Sequence, residues 1–75
     1  MIRILTASDR ALLVEAADLA ESMRLHLAWE AADIRGVTEL VPGARTVLVR
    51  FDPSLVTAAD LSRALSSVTG SDAAA

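Results

Sequence analysis

The residues of this chain that could do chemistry are few, and they surround its single histidine, His26. Ser22 precedes His26 by one helical turn and Glu30 follows it by one turn, so a helix would place all three on one face. Ser22 and His26 are the nearest approach to a nucleophile–base pair, but the sequence indicates no residue that would orient the histidine or bind an oxyanion. His with Glu could hold a metal ion only with a third ligand, so the spacing favours a solvated helix flank. We therefore predict no catalytic, metal or cofactor site in this chain.

Composition excludes further classes of function. The chain has no Cys, which excludes disulfides, thiolate nucleophiles and Cys-based zinc or iron–sulfur sites. A net charge of −3 and seven scattered basic residues, all Arg, argue against a nucleic-acid surface. No apolar run approaches the roughly 20 residues that span a bilayer, and the N-terminal apolar segment is too short for a signal peptide. We expect a cytoplasmic protein that binds neither nucleic acid nor membrane.

The stretch 37–53 predicts a β-hairpin around which the other elements are arranged. Residues 37–41 and 46–51 are rich in β-branched and apolar types, and Pro42-Gly43 between them is a turn signal. Strand alternation divides the hairpin into two faces. The core face carries Leu40, Val47, Val49 and Phe51, and the opposite, mixed face carries Val37, Glu39, Val41, Leu48 and Arg50. We expect Glu39 and Arg50 to form an exposed ion pair of small energetic value.

The N-terminal part predicts a second hairpin. Residues 2–6 and 10–15 are the candidate strands, with a turn signal at Ser8-Asp9. The core face would carry Ile2, Ile4, Leu12 and Val14, while Leu5 and Leu13 would point to the opposite face.

Two helices complete the chain. The first spans 18–34, with Asp18 as N-cap, Glu21 completing a capping box and Gly36 closing the helix. Its predicted core stripe is Leu19, Met23, Leu27, Ala31 and Ile34. The second helix has Thr57 as N-cap with Asp60, an apolar face of Leu61, Ala64, Leu65 and Val68, and an end at Gly70.

The element order β-β-α-β-β-α predicts an α+β fold. We expect a two-layer sandwich in which both helices cover one face of an antiparallel sheet and leave the other face open. A ferredoxin-like β-α-β-β-α-β domain would need a strand after the second helix, which residues 70–75 cannot supply.

Two groups of apolar residues have no partner inside this predicted fold. Leu5, Leu13, Val41 and Leu48 point to the open sheet face, and Leu25 and Trp29 lie opposite the core stripe of the first helix. Because contiguous apolar patches on small domains often mark interfaces, we predict that these residues dock a second domain or another protein. A homodimer is one such assembly.

Three segments resemble the N-terminal domain of the KipI / allophanate hydrolase subunit 1 family, which is also known as the PxpB component of 5-oxoprolinase. They are SDRALLVE, then RGVTELVPGARTVLVRFDP, then a helix that begins TAADL. The family pattern has G-D-x-A-L-L-V-x-F, a helix, G-V-x-E-x-V-P-x-x-x-S-L-x-V-x-F-D-P and a helix. This sequence departs from it at Ser8, Ala16 and Thr46, where Gly, Phe and Ser are usual.

The resemblance implies a β(2)-α-β(2)-α, DCoH-like domain over residues 1–70. Residues 71–75 would be a disordered tail or the start of a linker to a C-terminal cyclophilin-like domain that is absent from this sequence. Family members act with a KipA-like component of 5-oxoprolinase, and together with a third subunit they cleave 5-oxoproline to glutamate with the use of ATP. ATP is therefore implied for the full complex and for no site in this domain. The alternative that the resemblance leaves open is a regulatory module that binds and inhibits a sensor histidine kinase.

Overall fold

The computed structural model describes residues 3–74, and the side chains of residues 3–68. The elements are β1 (Arg3–Ser8), β2 (Ala11–Glu15), α1 (Leu19–Ala32), β3 (Val37–Pro42), β4 (Thr46–Phe51) and α2 (Ala58–Ala74). The four strands form one antiparallel sheet in the order β1-β2-β4-β3. This architecture confirms the predicted α+β, β(2)-α-β(2)-α sandwich with one open sheet face. The predicted core position of Ile2 lies outside the described residues.

Alternation along the two central strands builds the core. The buried side chains of this cluster come from one face of β2 and β4 and from both helices: Leu12, Val14, Val47, Val49, Phe51, Leu25, Trp29, Leu61 and Leu65. Ile4 and Leu40 of the edge strands are partly buried against the same cluster, as predicted. Each large apolar side chain that is fully buried contributes about 1.5–3 kcal/mol, so this cluster is the main source of stability.

The predicted face of Val37 is wrong, because β3 contains a bulge. Val37 pairs with Phe51 and Glu39 pairs with Arg50, which are neighbours in β4. Thr38 is therefore an extra residue in β3 that has no partner in β4. An extra residue reverses the side-chain alternation on one side of the bulge. Val37 therefore turns to the core side and packs against the buried cluster, while Glu39 and Val41 stay on the open face.

Helix α1 turns the opposite face to the core from the one predicted. Its buried residues are Ser22, Leu25 and Trp29, whereas Leu19, Met23 and Leu27 are exposed. Burial of the Trp removes more apolar area from water than burial of any other residue of this helix. The indole N–H on the buried face also has a hydrogen-bond acceptor, because Trp29 Nε1 donates to the Leu65 carbonyl at 3.2 Å. The predicted core positions of Leu19, Met23 and Leu27 are therefore wrong, whereas Ile34, just after the helix, packs partly buried against the core as predicted.

The predicted cap of α1 is correct at the start of the helix and wrong at its end. Asp18 Oδ1 accepts from the Glu21 N–H at 2.8 Å, which confirms the N-cap. The left-handed closing residue is Asp33, with φ 49° and ψ 57°, and not Gly36. Gly36 has φ +90°, and a Cβ built there would lie 2.9 Å from the Val56 Cβ, so glycine is required by the close approach of the connection between β4 and α2.

Helix α2 begins as predicted and ends later. Asp60 N–H donates to Thr57 Oγ1 at 3.1 Å, and Leu61 and Leu65 are buried. The helix continues through Gly70 to Ala74, so the predicted end at Gly70 is wrong. A glycine inside a helix costs about 1 kcal/mol and need not end it. The division into a domain of residues 1–70 and a tail or linker of 71–75 stays a prediction.

Candidate functional site

The open face of the sheet carries a continuous apolar row. Leu5 pairs with Leu13, Leu13 with Leu48, and Leu48 with Val41, so one residue from each strand lies directly beside the next. Val41 is 42% exposed and the three leucines are partly exposed. We call these four residues the apolar row. All four lie on the face predicted for them, and their role in docking stays a prediction.

Polar residues flank the apolar row on both sides. Arg50 Nη1 lies 3.5 Å from Glu39 Oε1 on one side, as predicted, and Arg3 Nη1 lies 3.7 Å from Glu15 Oε1 on the other. These ion pairs are exposed and each is worth at most about 1 kcal/mol. An apolar centre with a polar rim is the usual anatomy of a protein–protein interface.

Leu25 and Trp29, the second predicted interface group, are not on the surface. Their side chains are 0% and 1% exposed and belong to the core. The exposed apolar residues of α1 are instead Leu19, Met23 and Leu27, at 57%, 42% and 59%, which we call the helix stripe. Periodicity alone could not separate the two stripes. The signal that could have done so is the Trp, whose size makes an exposed position costly.

The structure gives Ser22, His26 and Glu30 separate surroundings. Ser22 is fully buried, and its hydroxyl proton is shared between the carbonyl oxygens of Gly43, at 2.8 Å from Oγ, and Thr46, at 2.9 Å, so it fastens α1 to the β3–β4 turn. His26 Nε2 lies 3.8 Å from Glu30 Oε2. The His26 side chain is only 17% exposed, and its Nδ1 is buried without a hydrogen-bond partner among the described residues. The prediction that this flank of the helix is solvated is therefore wrong for His26, and it is confirmed for Glu30, whose side chain is 66% exposed.

A surface cleft of about 450 Å³ lies where the β1–β2 turn meets the end of the β3–β4 hairpin. It is lined by Ser8, Asp9, Arg10, Thr38, Arg50, Phe51 and Asp52. The Ser54 hydroxyl, at 2.7 Å, and the Ser54 N–H, at 2.9 Å, donate to Asp52 Oδ1. These bonds, with a smaller attraction from Arg10, lower the pKa of Asp52 despite some desolvation. The charged side chains of the cleft lining are thus two arginines and two aspartates.

The described part of the chain holds neither a metal-binding cluster nor a membrane span. The described side chains, those of residues 3–68, contain no group of three or more His, Cys, Asp or Glu residues placed to bind a metal ion. Neither α1 nor α2, over its described residues, combines the length and the apolar character that crossing a bilayer requires. The predicted cytoplasmic location stays a prediction.

Comparison with known proteins supplies the family. Searches of the curated proteins and of the solved structures gave no match. A family model described as "Carboxyltransferase domain, subdomain C and D" matches residues 2–75, which is nearly the whole chain. This is the family of the KipI / allophanate hydrolase subunit 1 proteins, so the resemblance carried by the two hairpins is confirmed. The chain belongs to the carboxyltransferase domain, subdomain C and D, family.

Proposed function

We propose that the chain is a non-catalytic docking domain of a PxpB-like or allophanate hydrolase subunit 1-like protein. Its open sheet face would pack on a C-terminal domain of the same protein or on a separate KipA-like component, which we call the KipA-like partner. The observation that carries the proposal is the apolar row, which crosses all four strands and has ion pairs on both sides. Within the described residues, the Ser22 hydroxyl donates to backbone carbonyls, and His26 Nδ1 has no hydrogen-bond partner.

In this proposal the reaction is the ATP-dependent hydrolysis of 5-oxoproline to glutamate, carried out by the assembled complex. The domain contributes binding energy and position, and ATP binds elsewhere in the complex. Support comes from the family match, which covers residues 2–75.

The docking proposal is tested by replacing two neighbouring residues of the apolar row, Val41→Gln with Leu48→Gln. Full burial of such a side chain is worth about 1.5–3 kcal/mol. Since Val41 still exposes 42% and Leu48 is partly exposed, each should contribute about 1 kcal/mol on docking. The double variant should then bind the KipA-like partner about 30-fold more weakly. Leu55→Gln is the matched control, because Leu55 is 51% exposed and lies outside the row.

Binding is measured by titration calorimetry of the protein that carries this chain against the KipA-like partner, and turnover by glutamate release from 5-oxoproline with ATP. Unchanged affinity in the double variant refutes docking through the row. Absence of turnover in the wild-type complex refutes the 5-oxoprolinase role and leaves docking intact.

The kinase-inhibitor alternative stays a prediction. It requires that the protein lower autophosphorylation of a sensor histidine kinase when the KipA-like partner is left out. Inhibition in that assay, with no glutamate release in the other, would replace the proposed function.

A further inference from the structure

The two edge strands of the sheet differ in how well they are protected against pairing with another chain. Natural edge strands are blunted by bulges, prolines and charges. β3 has all three, because Thr38 is a bulge residue, Pro42 ends the strand and Glu39 lies between them. β3 is therefore a poor template for a further strand.

β1 is less protected. Residues from Arg3 to Thr6 pair in regular register with β2, and the irregularity comes only between Thr6 and Ser8. The strand contains no proline and has a single charged residue, Arg3. Thr6 and Ala7 are exposed, so no part of the helix layer covers this end of β1. Within the described residues, the outer side of β1 has no strand partner.

We propose that β1 is a self-association edge, at which β1 of a second copy of this chain pairs antiparallel about a two-fold axis through Leu5. In this register Leu5 faces the second copy's Leu5 and Ile4 faces its Thr6, all within the regular part of β1, while Arg3 comes near the second copy's Ala7 at the irregularity. No like charges are opposed, and the two leucines meet as a cross-strand pair. A two-fold arrangement is also the commonest form of homo-oligomer.

The geometry of the sheet favours a second copy over an unrelated strand. A two-fold axis perpendicular to the sheet keeps both helix layers on one side, so the helices of the two copies do not have to cross the new junction. The apolar row of each copy ends at Leu5, and pairing at Leu5 joins the two rows into one of twice the length. The contact is small, so we expect a weak dimer with a Kd of about 10 µM to 1 mM.

The test uses charge at the axis. Leu5→Lys places two ammonium groups directly opposite each other and should abolish dimerisation at concentrations up to about 1 mM in sedimentation equilibrium. An equimolar mixture of Leu5→Lys and Leu5→Glu chains should restore a dimer. Val41→Lys is the matched control, because Val41 ends the same apolar row at the other edge and its replacement should leave dimerisation unchanged. Circular dichroism checks that each variant is folded.

Several results would overturn the proposal: a wild-type chain that is monomeric at about 1 mM, a dimer that survives Leu5→Lys, equal loss in Val41→Lys, or no dimer in the mixture. If Leu5→Lys does not fold, amide hydrogen exchange of the wild-type chain decides. Protection of residues 4–6 must then increase with protein concentration, and constant protection refutes the pairing. Leu5→Lys and Val41→Lys should both weaken docking to the KipA-like partner, whereas only Leu5→Lys should affect the dimer. Failure of the dimer proposal can therefore be distinguished from failure of the proposed function.

Discussion

The orientation of α1 gives the sharpest quantitative prediction. Trp29 is 1% exposed and Leu27 is 59% exposed, although the sequence pattern predicts the reverse. Replacing a buried Trp by Ala removes its transfer free energy and leaves a cavity, at a cost of about 3–5 kcal/mol. Replacing an exposed Leu by Ala changes the free energy of unfolding by about 0.5 kcal/mol or less, and Ala keeps the helix propensity.

The size of this effect relative to total stability makes it easy to measure. A domain of 75 residues is expected to have an unfolding free energy of about 4–11 kcal/mol. Trp29→Ala therefore removes much of the stability, while Leu27→Ala leaves it nearly intact. With a urea m-value of about 1 kcal/mol/M, the midpoint of the Trp29→Ala variant should fall by about 3–5 M.

Urea unfolding is followed by far-ultraviolet circular dichroism, which does not depend on the substituted side chain. Trp29→Phe is an intermediate variant, because it keeps an aromatic ring in the core but loses the N–H donated to the Leu65 carbonyl; we expect a loss of about 1–2 kcal/mol. Equal losses in Leu27→Ala and Trp29→Ala would refute the observed orientation of the helix.

Three further predictions concern single contacts. Gly36→Ala should destabilise the domain by about 1–3 kcal/mol in urea unfolding, because φ is +90° and the new Cβ would meet Val56; a neutral result would contradict this close approach. Ser22→Ala should cost about 1–3 kcal/mol in the same assay, since the β3–β4 turn loses a buried hydroxyl donor. Because the pKa of Asp52 is lowered from 3.8 by Ser54, its contribution to stability is fully present above pH 3.8 and is lost as the pH falls through the lower, folded-state pKa. Asp52→Asn should therefore reduce the acid-side loss of stability in thermal melts at pH 2–5, and an unchanged slope would contradict the assignment.

Much of the fold follows from local rules in the sequence. Strand alternation and two turn signals place both hairpins, and the caps at Asp18 and Thr57 place both helix starts within a residue. These features depend on neighbouring residues only, so they can be predicted without knowing the tertiary structure.

The failures have physical causes that extend beyond local pattern. α1 carries two apolar stripes, and the choice between them depends on the volume of Trp29 and on acceptors supplied by distant residues such as Leu65. The bulge at Thr38 depends on how β3 is paired with β4, so alternation alone assigns Val37 to the wrong face. Gly36 is required by the approach of Val56, which is far away in sequence.

The sequence predicts which sheet face carries the apolar row, but not how its residues are paired. Strand parity identifies the face that carries Leu5, Leu13, Val41 and Leu48. It does not show that these residues are direct cross-strand partners, because that depends on the strand order and on the register fixed by each turn. The helix stripe was missed altogether, as a result of the same error that placed Trp29 on the surface.

The burial of the single Trp has a spectroscopic consequence. Its indole belongs to the core cluster, is 1% exposed and is hydrogen-bonded to the backbone of α2. Intrinsic emission therefore reports the separation of the helices, and it should shift to longer wavelength when they part and water enters. A ligand that binds the apolar row or the helix stripe without loosening the core will leave that emission unchanged, so the intrinsic fluorescence of the Trp distinguishes binding at these surfaces from unfolding without any added dye.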